Sequence, residues 1–216
     1  CRRGGDSLTT TINLPKIENQ PSLVVDVTYL CNYTCNYCRW GSSETPGRVH
    51  HPLSTILADP LELEAIGVER VVLSGGEPML HPDILQIVSH YSRLVEDVIL
   101  ITNGWLADHE RITALASEGL SGLAFSIDSI DATVLAKTRD MSDSQVTRSL
   151  GNFQTISKSR MEGIFDIELG VISVVTSENS SLDDVIQLLD WAQHHELDYV
   201  KFNQIFDDGF AGSNAS

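Results

Sequence analysis

Six short runs of apolar, mostly β-branched residues recur along the chain, at residues 23–27, 71–73, 98–102, 122–127, 167–175 and 199–202. Runs this short with few polar interruptions predict strands buried on both faces, as in a parallel sheet. Between them the period changes. Over residues 82–95, Ile84, Ile87, Val88, Tyr91 and Leu94 fall three and four apart, the stripe of an amphipathic helix. Leu182, Val185, Ile186, Leu189 and Ala192 repeat it behind Ser181, an N-cap candidate with Asp184 three positions on. Ile112, Leu115 and Ala116 mark a shorter helix that stops at Gly119, and looser helical patterns cover residues 53–66 and 145–157.

Strands alternating with helices describe βα units, hence an α/β protein with a parallel sheet and right-handed crossovers. A closed eightfold barrel takes ~250 residues, so the six units found here point to a partial (β/α)6 barrel of the TIM type. Residues 1–22, with Gly4, Gly5, Pro15 and Pro21, read as an irregular leader, and residues 23–206 as the core domain. Residues 207–216 read as a C-terminal loop that leaves room for sequence beyond Ser216. A chain that opens on Cys1 rather than methionine reads as trimmed or as part of a longer one.

Composition narrows the class. With 42% hydrophobic residues among 216, the chain can bury a substantial core. No stretch approaches the ~20 apolar residues of a membrane span, and no signal-peptide segment opens the chain, so no membrane association and a cytoplasmic location are expected. The 30 acidic and 14 basic residues give a formal charge of −16, a field that argues against broad nucleic-acid binding.

Cys31-x3-Cys35-x2-Cys38 follows the first apolar run, and Cys1 is the only other cysteine. In a reducing compartment such thiols read as ligands, and soft sulfur selects iron-sulfur clusters, zinc or cuprous copper. A structural zinc site needs four protein ligands, which here requires His50 or His51 to join the three cysteines. A 4Fe-4S cluster held by three cysteines instead leaves one iron open to a ligand. With no further cysteine but Cys1, a second cysteine-ligated cluster is not expected within this span.

The remaining polar motifs all follow strands, where parallel α/β folds place function. Ser74-Gly75-Gly76-Glu77-Pro78 follows the second strand, Thr102-Asn103-Gly104 ends the third and Ser126-Ile127-Asp128 ends the fourth. The glycine pair lets backbone approach a ligand closely enough to grip an ammonium group. Arg139 is a candidate clamp for a carboxylate, which guanidinium binds bidentately. Arg39 reads first as a surface ion pair, with contact to the metal centre or a substrate carboxylate as the alternative, and His81, before Pro82, equally as a residue at a helix start or a catalytic one.

Together these residues resemble the radical S-adenosylmethionine (SAM) superfamily: the cysteine triplet, with the aromatic Tyr37 before its last member, then Gly-Gly-Glu-Pro at 75–78. The Thr-Asn-Gly and Ser-Ile-Asp segments extend the resemblance over about residues 22–205, in an order similar to the branch of the molybdenum-cofactor cyclase and the peptide-modifying maturases. It implies a 4Fe-4S cluster on Cys31, Cys35 and Cys38, with SAM chelating the open iron. Tyr37 would offer its backbone to the adenine, and Gly75, Gly76, Glu77 and Pro78 would hold the amino group. Ser126 and Asp128 would meet the ribose or carboxylate, Thr102 or Asn103 would lie near the methionine end, and Ile172 and Val174 would cover the adenine face. Gly170 only approximates the glycine pattern many members carry on that strand.

The implied activity is reductive cleavage of SAM to a 5′-deoxyadenosyl radical that abstracts hydrogen from a small-molecule or peptide substrate. An electron donor such as flavodoxin or ferredoxin would feed it. A glycyl-radical-enzyme activase is the alternative within this class, and a zinc-stabilised α/β binding module is the alternative outside it.

Overall fold

The computed structural model describes residues 21–38 and 49–205. Residues 1–20 of the leader, with Cys1, lie outside the described residues, as do Arg39 and the 207–216 loop. Among the described residues six strands form one sheet: β1 (Ser22–Thr28), β2 (Arg70–Gly75), β3 (Asp97–Thr102), β4 (Gly122–Ser126), β5 (Glu168–Val175) and β6 (Tyr199–Gln204). Every neighbouring pair is parallel and the spatial order is the sequence order, so each connection is a crossover. This is the expected partial (β/α)6 arrangement, and it brings all the strand carboxyl ends to one rim.

The crossovers carry α1 (Leu53–Ile56), α2 (Pro60–Ile66), α3 (Ile84–Tyr91), α4 (His109–Ser117), α5 (Ala132–Arg139), α6 (Asp143–Met161) and α7 (Leu182–His194). The pattern over 53–66 divides in two because the Asp59 side chain caps α2 at Leu61 N and Pro60 has no N–H to continue α1. The pattern at 145–157 grows at both ends, starting at a capping box between Ser142 and Gln145. Helix α5 leaves no stripe in the sequence, since its buried positions are Leu135, Thr138 and Arg139. What starts it is Asp131, whose carboxylate accepts from Thr133 N and Val134 N.

The strands bury both faces, but differently. Val71, Leu73, Val98, Leu100, Leu123, Phe125, Leu169 and Val171 pack outward against Ile87 and Val88 of α3, Ile112 and Leu115 of α4, and Phe153 and Ile156 of α6. Each such side chain contributes about 1.5–3 kcal/mol on burial, so this layer holds the rim in place. Positions of the opposite parity, such as Ser74, Ile101, Ser126, Ile172, Val174 and Asn203, turn inward and line a pocket. At the other end of the lumen Arg70 bridges three strands, lying 2.8 Å from Asp97 and 3.4 Å from Glu168.

Candidate functional site

The cysteine loop leaves β1 under backbone control. Leu30 N donates to Thr28 Oγ1 at 3.0 Å, Tyr33 N to Cys31 Sγ at 3.4 Å, and Cys38 N to Cys35 O at 3.0 Å. Tyr33 anchors the loop by packing with Leu135, Met141 and Val146, against which Cys31 and Cys35 also rest.

The loop after β2 is sewn onto the cysteine loop: Gly76 N donates to Thr28 O at 2.7 Å and Glu77 N to Leu30 O at 2.8 Å. A side chain cannot fit between them, since a Cβ on Gly76 would lie 2.2 Å from Leu30 O. Gly75 adopts φ +123°, a conformation that favours glycine. Glu77 itself is wholly buried. Its Oε1 accepts from Met79 N (3.1 Å) and Thr102 Oγ1 (2.9 Å), and its Oε2 from Asn103 N (2.8 Å). Burial nevertheless outweighs these three bonds and raises its pKa from 4.5 to about 7.

Asp128, with its side chain fully buried, is equally committed. Its Oδ1 accepts from Val174 N at 2.8 Å and Arg139 Nη2 at 3.0 Å, while Tyr37 Oη donates to its Oδ2 at 2.5 Å and Arg139 Nε lies 2.8 Å from that oxygen. The guanidinium also stands over the Tyr37 ring, 5.7 Å from its centroid. Tyr37, between the second and third cysteines, is thereby tied to β4, α5 and β5. The two charges are buried against one another, and removing either partner would strand the other.

One pocket of about 330 Å³ takes in Cys31, Cys35, Cys38, Tyr37, Gly75, Gly76, Thr102, Asn103, Ser126, Ile172 and Val174. Glu77, Pro78 and Asp128 stand behind its wall: Pro78 opens a 3-10 turn, and the two carboxylates brace neighbouring loops. Arg139 also lines the pocket, while its Nη2 and Nε face Asp128. Ser74, which opens the Gly-Gly-Glu-Pro motif, lines it too, and the lining is completed by Tyr33, Ile101, Lys201, Asn203, Gln204 and Ile205, which no sequence motif marks. Lys201 and Asn203 were reachable through strand parity, as they pair with Ile172 and Val174 across the sheet.

The donor set fits an iron-sulfur cluster. The three cysteines are free thiols, and burial pushes Cys31 up to about 12 and Cys35 to about 11, the latter opposed by the charge of Arg139. Thiolate ligation must offset that cost of ionisation, as a bound cationic metal centre does. The zinc alternative needs His50 or His51, and neither lines the pocket; the His50 ring packs on His81 and the His51 ring on Tyr29.

Comparison with known proteins gives the same direction. A family model described as the Radical SAM superfamily matches residues 25–192. The AdoMet-dependent heme synthase of Methanosarcina barkeri is 27% identical over 196 residues, covering 88% of this chain and 52% of the relative. The GTP 3′,8-cyclase of Chlorobaculum tepidum is 28% identical over 189 residues, covering 85% of this chain and 54% of the relative. The chain thus spans about half the length of these relatives. Among solved structures, Streptococcus suis SuiB bound to S-adenosylmethionine superposes with a TM-score of 0.70 at 18% identity, over 86% of this chain and 41% of that one. The same protein bound to its precursor peptide SuiA gives 0.70 over 87% and 40%.

Proposed function

The chain belongs to the radical SAM superfamily, and on that premise we propose that it cleaves SAM reductively and directs the resulting 5′-deoxyadenosyl radical at a hydrogen of a small-molecule or peptide substrate. The family uses a 4Fe-4S cluster and SAM, which when bound supply one-electron cleavage of a sulfonium carbon-sulfur bond. The observation that carries the reading is convergence: three cysteines, the Gly75-Gly76 loop and the ends of β3 to β6 meet in a single pocket.

The protein's own part is to bind, orient and exclude. Cys31, Cys35 and Cys38 would hold the cluster. Backbone of Gly75 and Gly76 would meet the SAM amino group, Ser126 and Arg139 its carboxylate or ribose, and Ile172 and Val174 the adenine. The Tyr37–Asp128–Arg139 contacts hold the cysteine loop against β4 and β5, and Glu77 holds the end of β3 against the same loop. Such bracing matters because ~1 Å of misplacement can cost on the order of a hundredfold in rate. The inward residues Lys201 and Asn203, with Gln204 at the strand end, extend the pocket along β6 and are assigned to substrate. Substrates of both sizes are suggested by relatives named for a GTP cyclase and for a protein bound to a precursor peptide. A flavodoxin- or ferredoxin-like donor in a reducing cytoplasm completes the proposal.

Anaerobic reconstitution tests it. The expected product is a brown protein with about four iron and four sulfide per chain, which with dithionite and SAM releases methionine and 5′-deoxyadenosine. Cys35→Ala should abolish both. A colourless chain carrying stoichiometric zinc, or an iron protein that leaves SAM intact under these conditions, would overturn the reading.

A further inference from the structure

We propose that the side-chain amide of Asn103 is a built-in hydrogen-bond donor to the Cys31 sulfur, and that it raises the reduction potential of the iron-sulfur centre the cysteines hold. The inference rests on the family reading of the site and goes beyond it by assigning a residue that tunes the centre rather than one that ligates it.

Asn103 follows β3 and is 7% exposed, and each of its polar groups is spoken for. Its N–H donates to Glu77 Oε2 at 2.8 Å and its carbonyl accepts from Ser149 Oγ at 2.5 Å, so the backbone is fixed on both sides. Its Oδ1 accepts from Trp105 N at 3.0 Å. That bond decides the orientation of the amide, because the flipped form would set an N–H against an N–H. Nδ2 must therefore face the cysteine loop, where one hydrogen goes to Asn32 Oδ1 at 2.8 Å and Cys31 Sγ lies 3.8 Å away, within reach for a sulfur acceptor. Tyr33 N approaches the same sulfur at 3.4 Å.

Reduction adds negative charge to a centre already carrying three thiolates. An N–H dipole aimed at a ligating sulfur favours that added charge, and hydrogen bonds to sulfur are among the levers that set cluster potentials. Because Asn103 is held from four directions, its dipole is preorganised and needs no rearrangement when the electron arrives. The Glu77 carboxylate thus acts on the centre through Asn103, joining the Gly-Gly-Glu-Pro loop to the first cysteine without touching it.

The test is a dithionite titration with redox mediators, followed by electron paramagnetic resonance, on the reconstituted wild type, N103A and N103D. N103A removes the donor. N103D keeps the volume and the acceptor facing Trp105 N while replacing the donor. Both should bind wild-type iron yet titrate more negative, with the reduced-to-oxidised ratio at fixed potential falling about tenfold, ~59 mV for a one-electron couple. In addition, the reduced wild type grown with 15N-asparagine should show a 15N hyperfine coupling that N103A lacks. A variant with full iron and an unshifted potential overturns the inference, as does a labelled wild type without that coupling. A wild type that assembles no iron-sulfur centre fails earlier, at iron content, and overturns the reading of the site together with this inference.

Discussion

Glu77 illustrates how one side chain can serve a site it does not line. It turns into the protein, closes three hydrogen bonds across two loops and leaves the pocket wall to Gly75 and Gly76. Its ionisation is costly for the same reason. The carboxyl is raised from 4.5 to about 7 by burial, so between these values the folded chain binds more protons than the unfolded one. The stability this contributes is complete below about pH 4.5 and is lost as pH rises through about 7. Urea unfolding of the metal-free, reduced protein should therefore show a Glu77-dependent loss of ~2 kcal/mol between pH 5.5 and pH 8. E77Q cannot ionise and should lack that component, although its NH2 group facing a backbone N–H lowers stability at every pH. Equal slopes for the two proteins would show that Glu77 does not titrate in this range.

At the scale of elements, the site depends on how tightly the loop after β2 lies on the loop after β1. Gly76→Ala would place a Cβ 2.2 Å from Leu30 O and 2.6 Å from Leu30 C, both backbone atoms that cannot swing away. The two inter-loop bonds from Gly76 N and Glu77 N should then be lost, at about 1 kcal/mol each. The expected result is a stability loss of ~2 kcal/mol or more with weakened iron retention, read by thermal melts and iron analysis. Gly151 in α6 offers the contrast, since a Cβ there meets nothing within 4 Å. Gly151→Ala should stabilise the chain by ~0.5–1 kcal/mol through helix propensity and leave iron content unchanged. If both substitutions behaved alike, close packing of the two loops would not be what matters.

Over the whole molecule the sequence charge of −16 is the dominant long-range term. Self-repulsion of like charges disfavours compact states and is screened beyond ~10 Å at 0.1 M salt. Raising KCl from 20 to 200 mM should accordingly increase the melting temperature, each 1 kcal/mol of relieved repulsion being worth about 2–4 °C at this size. A flat or falling response would mean that local ion pairs, such as Arg70 with Asp97 and Glu168, outweigh the net field. Among the described residues no helix is long and apolar enough to cross a membrane.

The sequence by itself determined the strand-helix alternation, because burial of apolar side chains imposes a period that can be read along the chain. It also determined the three thiols as a ligand set, because their spacing is local and sulfur is a soft donor wherever it stands. Helix α5 escaped it for want of an apolar stripe, and so did the pocket lining on β6, where parity acquires meaning only once β5 lies alongside. The tertiary structure alone decided what the buried polar groups do. Asp128 meets Tyr37 across 91 positions of sequence, and Asn103 meets Glu77 across 26 and Cys31 across 72. A buried carboxylate or amide must find partners or forfeit a large desolvation energy, but which partners it finds depends on how distant loops are brought together, and no local pattern of residues encodes that.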